Sequence, residues 1–239
     1  MWLIAEYVST TLFSLKPSWA TSSGGKSLLL PTPYAIKMAL LDALCRVEGV
    51  AVAQEMWPTI RACTVALRGP ERIVVTNTFT KILKPRRGEL APGSADSGPY
   101  QKTIGFREYV FHGGPLGIGL SVEGRDLAQR IPGWLLNVNY LGKRGGFVQL
   151  MGAPQLVDSL PAGFVAVTAS ATNAFALNGF LQRLDDTGSQ VTFEQVSIYS
   201  DQAVRLDKDR IFHQVILPYR LVRSSKSYSY YERIDLGTV

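Results

Sequence analysis

The feature that most constrains the fold is an apolar stripe of helical spacing that begins soon after a strand-like N-terminal segment. The stripe is formed by residues that recur at intervals of four, three and four: Tyr34, Met38, Leu41 and Cys45. Thr32 can cap this helix, Pro33 suits its first turn and Gly49 can end it. The sequence therefore predicts a helix over residues 33–47. Its solvent-facing side is predicted to carry Lys37, Asp42 and Arg46.

The order of elements over the first two thirds of the chain predicts an α+β fold. Residues 2–15 are rich in β-branched and aromatic residues and predict a long first strand. After the helix, a hairpin around Gly69-Pro70 and a strand that pairs back are predicted over residues 58–68, 71–83 and 102–112. A strand, a short helix that Pro132 ends or kinks, and another strand follow over residues 116–122, 124–131 and 147–151. This order fits a ferredoxin-like β-α-β-β-α-β unit. In the last third, strands are predicted over residues 164–168, 191–199 and 210–222, and a helix over residues 173–184.

Composition favours a single large domain with an anionic partner. The chain has 239 residues, 46% of them hydrophobic, so it can bury a core without disulfides or a metal. Lys and Arg total 25 against 19 Asp and Glu, a formal net charge of +6. Nucleic acid is the leading partner class, and an acidic protein surface is the next.

Several classes of protein are disfavoured by what the sequence carries. Cys45 and Cys63 belong to no C-x-x-C or His-rich cluster, so we expect neither a metal site nor a cofactor. The N-terminus shows no basic leader, and we expect a cytoplasmic protein. Residues 159–182 carry no charge, but their Pro, Asn, Ser and Thr content favours a strand and a helix over a membrane span.

A basic glycine-rich turn over residues 140–150 is the first candidate binding site. Three glycines allow the backbone to bend and a ligand to approach its amides: Gly142, Gly145 and Gly146. Lys143 and Arg144 on this bend suit a phosphate, and the flanking Tyr140 and Phe147 can stack on bases or anchor the turn in the core. The alternative is an ordinary solvated loop.

Two other polar segments are candidates for phosphate contact. Residues 81–87 hold the densest positive charge, from Lys81, Lys84, Arg86 and Arg87, and precede a Gly/Pro/Ser-rich loop. The alternative for this segment is a solubilising loop. Residues 21–27 resemble a nucleotide-binding loop but have Ala20 where the first glycine is required, which leaves a polar loop that can contact a backbone phosphate.

Several of these segments together resemble the RAMP superfamily of CRISPR-associated proteins, and most closely its Cas-five family of type I (Cascade) complexes. The segments are the first strand and residues 30–34, 35–44, 106–111 and 140–146. The resemblance implies a single domain over residues 1–239, with a ferredoxin-like (RRM/RAMP) palm and a β-hairpin thumb inserted at about residues 81–107. A β-rich C-terminal extension is expected at about residues 155–239.

The resemblance also implies a function in prokaryotic antiviral defence. A protein of this family holds the 5′ handle of the CRISPR RNA between palm and thumb. It joins the large subunit to the first backbone subunit, with target DNA nearby and no membrane. The RNA-binding residues implied by position or predicted from the basic segments are Lys26, Ser27, Tyr34, Lys81, Lys84, Arg86, Arg87, Tyr100, Lys102, Phe106, Arg107, Tyr140, Gly142, Lys143, Arg144, Gly145 and Phe147.

Two further hypotheses remain open from the sequence. One branch of the family cuts precursor CRISPR RNA without a metal, and such chemistry needs a general base near neutral pH. His112, with Tyr109 close before it, is the candidate here, although a structural histidine is the preferred interpretation; His213 is expected in the core or an interface. The third hypothesis is a protein-only interaction module whose basic surface meets an acidic partner.

Overall fold

The structure, a computed structural model, describes residues 1–20, 25–88, 98–168 and 179–235. These residues form four helices: α1 (Pro33–Glu48), α2 (Val50–Ala62), α3 (Arg125–Leu136) and α4 (Phe193–Val196). They also form twelve strands: β1 (Trp2–Ser9), β2 (Val65–Arg68), β3 (Arg72–Pro85), β4 (Tyr100–His112), β5 (Leu116–Ser121), β6 (Val148–Leu150), β7 (Gln155–Val157), β8 (Val165–Ala166), β9 (Phe180–Thr187), β10 (Arg210–Leu217), β11 (Tyr219–Ser224) and β12 (Tyr228–Arg233). All pairings between these strands are antiparallel, and the predicted α+β class is confirmed.

The central sheet has the strand order β6-β1-β5-β2-β8, with β7 also paired to β1. Alternate residues of β1 are fully buried: Leu3, Ala5 and Tyr7. The Tyr7 hydroxyl donates to Leu135 O of α3 at 2.7 Å, which ties that helix to the sheet. The core therefore lies between the central sheet and the helices that cover it.

Helix α1 confirms the predicted helix and its cap. The Thr32 hydroxyl oxygen accepts from Ala35 N at 3.2 Å, and Gly49 ends the helix with φ of +93°. The expectation that Lys37 lies on the solvent-facing side is wrong, because strand β9 covers that side of the helix. The Lys37 ammonium is buried and lies 2.8 Å from Asp186 Oδ1.

The hairpin predicted around Gly69-Pro70 is wrong. Residues 58–62 complete helix α2, whose buried side is formed by Ala53, Trp57 and Ile60, spaced four and three residues apart. Strand β2 pairs with β5 and β8, whereas β3 leaves the central sheet and pairs with β4 and β12. The turn at Gly69 connects two sheets, and a side chain there would collide with the Tyr219 hydroxyl.

The second half of the chain departs from prediction where tertiary packing decides the structure. Helix α3 continues through Pro132 to Leu136. The helix predicted over residues 173–184 is wrong from Phe180 onward, where β9 begins; residues 173–178 lie outside the described residues. The strand predicted over residues 191–199 is replaced by the single turn α4, which Thr192 caps. The strand predicted over residues 210–222 is divided at Pro218 into β10 and β11.

Candidate nucleic-acid interface

The strands β3 and β4 form a long hairpin that extends beyond the rest of the structure. Their register runs from Ile73 opposite His112 to Pro85 opposite Tyr100. Strand β12 pairs with β3 only as far as Thr76. Within the described residues, the part of the hairpin formed by residues 78–85 and 100–107 has no further strand beside it. This protruding part is a two-stranded ribbon.

The register divides the hairpin into two faces, because residues directly opposite each other in an antiparallel pair share a face. We call core-side the face that begins at the buried residues Ile73, Val75, Val110 and His112. Along the protruding part, this face carries Phe79, Lys81, Leu83, Tyr100, Lys102, Ile104 and Phe106. The Phe79 and Phe106 rings are in contact, with centroids 5.2 Å apart, and Phe79 is 70% exposed. Aromatic rings, aliphatic side chains and two lysines thus share one accessible surface.

The remaining predicted hairpin residues lie elsewhere. Lys84 and Arg107 occupy the opposite face, which we call the outer face. Arg86 donates through Nε to Gly98 O at 3.1 Å and so helps to hold the two strands together at the far end. Arg87 follows the last paired residue and is exposed. The core-side face therefore brings together Lys81, Tyr100, Lys102 and Phe106 from the predicted set.

Residues 25–28 attach to the base of the hairpin through Glu108. The Lys26 ammonium lies 2.7 Å from Glu108 Oε1, and the Ser27 amide donates to Glu108 Oε2 at 2.8 Å. The Ser27 hydroxyl accepts from Leu15 N at 3.0 Å, so it serves the local structure. A Cβ on Gly25 would collide with the backbone of Phe106, which explains a glycine at this close approach. The preceding residues 21–24 of the predicted polar loop lie outside the described residues.

The basic glycine-rich turn is closed by its own backbone. Gly146 N donates to Lys143 O at 3.0 Å, and Leu141 N donates to Gly146 O at 3.1 Å. Gly142 and Gly145 have φ of +73° and +100°, a conformation that glycine adopts without strain. Lys143 and Arg144 are exposed, and neither has an ion-pair partner among the described residues. The bend therefore presents two cations to solvent, as predicted from its sequence.

One short segment, residues 10–15, connects this turn to the hairpin. Thr11 Oγ1 donates to Gly145 O at 2.5 Å and accepts from Phe147 N at 3.0 Å. Phe13 pairs with Val110 of β4 through backbone hydrogen bonds of 2.9 and 2.7 Å. The Phe13 ring also stacks on His112, which belongs to the core-side face. The basic turn and the core-side face are thereby fixed next to the same segment.

Tyr34 and Tyr140 are placed differently from the exposed cations. Tyr34 is partly buried, and its ring lies 4.1 Å from the Arg210 guanidinium, on the side of α1 that strands β9 and β10 cover. Burial raises the pKa of Tyr34, and the nearby Arg210 opposes this shift. Tyr140 is partly buried and forms a bridge to the exposed Phe147 across the basic turn. The structure therefore does not bring Tyr34 to the hairpin.

His112 and Tyr109 lie on opposite faces of β4. Among the described residues, both ring nitrogens of His112 have partners: Nε2 donates to Leu29 O at 2.8 Å, and Nδ1 lies 2.9 Å from Ser9 Oγ. Burial lowers the pKa of His112, so its ring is neutral inside the protein. His213, on β10, is partly buried, and its Nε2 lies 3.7 Å from Asp186 Oδ2. This geometry gives neither histidine the position of an accessible general base.

Sequence reasoning missed two residues that shape the candidate site. Phe79 has the same strand parity as Lys81 and lies opposite Phe106, so alternation in β3 was the available signal. Glu108 had no comparable signal, because its role depends on contact with residues distant in sequence. Among the described residues, no cluster of His, Cys, Asp and Glu could hold a metal ion. In the same residues, no helix combines the length and hydropathy needed to span a membrane.

Comparison with known proteins gives the chain a relative. No family model matches it. Two solved structures resemble it: a CRISPR protein from Archaeoglobus fulgidus (TM-score 0.46, 10% identity, covering 97% of this chain and 91% of that one) and a chain of a CRISPR RNA-guided surveillance complex (TM-score 0.47, 13% identity, covering 90% and 88%). The CRISPR-associated protein Cas5 of Archaeoglobus fulgidus is 24% identical over 219 residues, which cover 88% of this chain and 92% of that protein. The chain is therefore a homologue of a CRISPR-associated protein Cas5, as the resemblance in its sequence predicted.

Proposed function

We propose that this chain is the cytoplasmic CRISPR RNA-binding subunit of a type I Cascade-like surveillance complex, which holds the 5′ handle and joins the large and backbone subunits. The observation that carries the proposal is the contact of residues 10–15 with both the basic turn and the base of the β3–β4 hairpin. The basic turn and the base of the hairpin that carries Lys81 and Lys102 are thereby held against the same short segment. Similarity to Cas5 and the net charge of +6 support the same partner.

The architecture supports a palm and a thumb within a single domain. In the central sheet, β1 lies between β5 and β6, and β5 lies between β1 and β2. This strand order, together with α1 after β1 and α3 after β5, supports the proposal of a ferredoxin-like β-α-β-β-α-β unit. We assign the thumb to the protruding ribbon of residues 78–85 and 100–107, which lies between β2 and β5 in the sequence. The strands after residue 155 form the C-terminal extension.

The side chains on the core-side face suit a single-stranded RNA. Any base can stack on an aromatic ring, so stacking depends little on sequence, while lysines hold the phosphates. Phe79, Phe106 and Tyr100 provide rings, and Lys81 and Lys102 stand between them on the same face. Lys143 and Arg144 add two exposed cations on the turn that residues 10–15 join to the base of the same hairpin. The handle would thus pass between the thumb and the palm.

The alternative activity, a metal-independent endoribonuclease, gains no support from the site. A general base must reach the 2′-hydroxyl of the RNA with a free lone pair. His112 is buried, and the described structure occupies both of its ring nitrogens. Tyr109 lies on the other face of the same strand. The proposal is therefore a binding role without turnover.

The proposal is tested by co-expressing the chain with a CRISPR array and the neighbouring genes, and sequencing the RNA that co-purifies in EDTA. We expect a discrete RNA with one uniform 5′ end. The double substitution Lys143→Gln/Arg144→Gln should weaken its binding to the purified chain and lower the slope of log affinity against log salt by about 1.4, the value for two phosphate contacts to a single strand.

A matched control removes two cations that lie away from the site. Arg125 begins helix α3 and Lys208 lies before β10; both are exposed. The variant Arg125→Gln/Lys208→Gln has the same net charge as the Lys143/Arg144 variant and should bind almost like the unaltered chain. If the two double variants bound the CRISPR RNA with equal affinity at every salt concentration, the basic turn would not be part of the RNA interface. Cleavage of the RNA by the chain in EDTA would replace the binding role with the nuclease.

A further inference from the structure

The four-stranded sheet β11-β12-β3-β4 has an outer face that the proposed handle site does not use. Its rows follow from the strand register. In one row, Val74 of β3 lies between Phe111 of β4 and Tyr230 of β12. The next row repeats the arrangement with Tyr109, Thr76 and Tyr228. Each row thus has a small residue in the middle and an aromatic residue on each side.

These rows form a shallow trough with β3 as its floor. Strands are spaced by about 4.8 Å and residues rise by about 3.4 Å, so the two aromatic sides are roughly 10 Å apart and successive rows roughly 7 Å apart. Side chains stand nearly perpendicular to a sheet, which points the four rings out of its plane. The spacing between rows is close to twice the thickness of a stacked base.

The aromatic side chains of the trough are accessible. Phe111 is 54% exposed, an unusual position for a phenyl ring in a paired strand. Tyr109, Tyr228 and Tyr230 are partly exposed. The Tyr230 hydroxyl donates to Glu232 Oε1 at 2.6 Å, which fixes the direction of that ring. All four rings therefore present part of their surface to solvent, and the direction of the Tyr230 ring is fixed.

Cations surround the trough. Arg223 lies opposite Tyr230 and so continues the first row onto β11. The other cations on this face or at its edge are Arg72, Arg107, Arg220 and Lys226. Of these five, only Arg220 has an ion-pair partner within the described structure, Glu232 at 3.3 Å. The excess of positive charge favours an anionic occupant over an apolar protein surface.

We infer that the outer face binds single-stranded nucleic acid, with bases stacked on the two aromatic rows and phosphates held by the surrounding arginines. This site goes beyond the proposed function, because it lies on the other side of the hairpin from the handle-binding face. Without base-edge donors and acceptors fixed around the rings, binding there depends on stacking and charge and discriminates little between sequences.

The test measures binding of a fluorescein-labelled uridine oligonucleotide of about 15 residues to the full-length chain, by anisotropy in about 50 mM salt. We expect Phe111→Ala/Arg223→Gln to weaken binding at least about fivefold, the lower end of the effect of losing one stacked ring. The control Tyr199→Ala/Arg125→Gln removes an aromatic residue and an arginine that are exposed elsewhere. It should bind like the unaltered chain.

The variant Lys143→Gln/Arg144→Gln separates this inference from the proposed function. It should lose affinity for the CRISPR RNA and retain affinity for the uridine oligonucleotide. One outcome would overturn the outer-face site while handle binding stood. In that outcome, Lys143→Gln/Arg144→Gln loses affinity for both the CRISPR RNA and the uridine oligonucleotide, whereas Phe111→Ala/Arg223→Gln keeps both affinities. If neither variant changed handle binding but the outer-face variant lost the oligonucleotide, the proposed function would fail and the inference would stand.

Cross-linking of the unaltered chain decides the question even if a variant folds poorly. A 4-thiouridine oligonucleotide of the same length, irradiated on the full chain, should attach to peptides that contain Phe111, Tyr228 or Tyr230. Cross-links confined to residues 140–147 would overturn the inference. A second outcome would also overturn the inference: the unaltered chain binds no oligonucleotide, and a partner protein protects the outer face. That face would then be a protein contact.

Discussion

Glu108 in strand β4 forms an ion pair with Lys26, whose Nζ lies 2.7 Å from Glu108 Oε1. The Glu108 side chain is only 8% exposed, whereas that of Lys26 is 71% exposed. The second carboxylate oxygen accepts from the Ser27 amide, and the Glu108 amide donates to Gly25 O at 2.7 Å. One buried carboxylate therefore fixes residues 25–28 on the base of the β3–β4 hairpin and holds an exposed cation beside the core-side face.

Replacement of Glu108 by Ala should destabilise this attachment. The Ser27 N–H loses its acceptor, and because this donor is partly buried, we expect a loss toward the lower end of the range of about 1–3 kcal/mol that an unsatisfied buried donor costs in the free energy of unfolding. Urea denaturation measures the loss, and amide hydrogen exchange should show faster exchange at Ser27. The control Glu71→Ala removes an exposed carboxylate at the start of the same hairpin and should cost much less. Equal losses in the two variants would contradict this role of Glu108.

The two faces of the β3–β4 hairpin should differ in their effect on the binding of CRISPR RNA. Lys81→Gln/Lys102→Gln removes two cations from the core-side face, and Lys84→Gln/Arg107→Gln removes two from the outer face. Because both variants change the charge of the same hairpin equally, a difference between them reports geometry. We expect the core-side variant to weaken binding of the co-purified RNA on the order of tenfold more. Equal dissociation constants in titrations would refute the assignment of the faces.

The elements that local sequence determines were predicted well. Helix α1 carries its cap, its proline and its apolar stripe within one segment, so each signal is local. The basic turn was also predictable, because its glycines and cations are adjacent. By contrast, the burial of Lys37 depends on Asp186, which is 149 residues away in sequence. No local pattern distinguishes a lysine that meets such a partner from one that faces solvent.

The assembly of the candidate site could not be predicted from the sequence either, because it depends on contacts between residues that are distant in the chain. Thr11 contacts Gly145 across 134 residues, and Ser14 contacts Glu108 across 94. The mistaken hairpin at Gly69-Pro70 arose because strand pairing is non-local: a glycine-proline turn between two strands fits a hairpin and a change of sheet equally well. Phe79 was overlooked although its strand parity with Lys81 was available.

The buried His112 should make stability depend on pH. Burial lowers the pKa of His112 below the value of about 6.5 that it has when unfolded. As the pH falls, the unfolded chain therefore binds the proton before the folded one does. Above about pH 7, His112 is neutral in both states and does not change the free energy of unfolding. Below about pH 6.5, the free energy of unfolding falls by at most about 1.4 kcal/mol per pH unit because of this residue.

The substitution His112→Gln should remove this part of the pH dependence. It should also lower stability at pH 7.5, since the hydrogen bonds to Ser9 and Leu29 change. Urea denaturation at intervals between pH 7.5 and 5 measures both effects. The control His213→Gln should retain the slope that His112 causes. A slope in His112→Gln as steep as that of the unaltered chain would assign the pH dependence to other groups.

The contact of Leu15 with Gly142 should determine how well the basic turn is held. Gly142 has φ of +73°, and a Cβ there would lie 2.8 Å from Leu15 Cδ1. Gly145 has φ of +100°, but a Cβ there would meet nothing within 4 Å. Both Gly→Ala variants incur the strain of positive φ, about 1–2 kcal/mol. Only Gly142→Ala also collides with a neighbour, so it should lose more stability and more affinity for CRISPR RNA than Gly145→Ala.

The double variant Gly142→Ala/Leu15→Ala relieves the collision, and its loss of stability should be smaller than the sum of the two single losses in urea denaturation. Strict additivity would show that Leu15 does not restrain the turn.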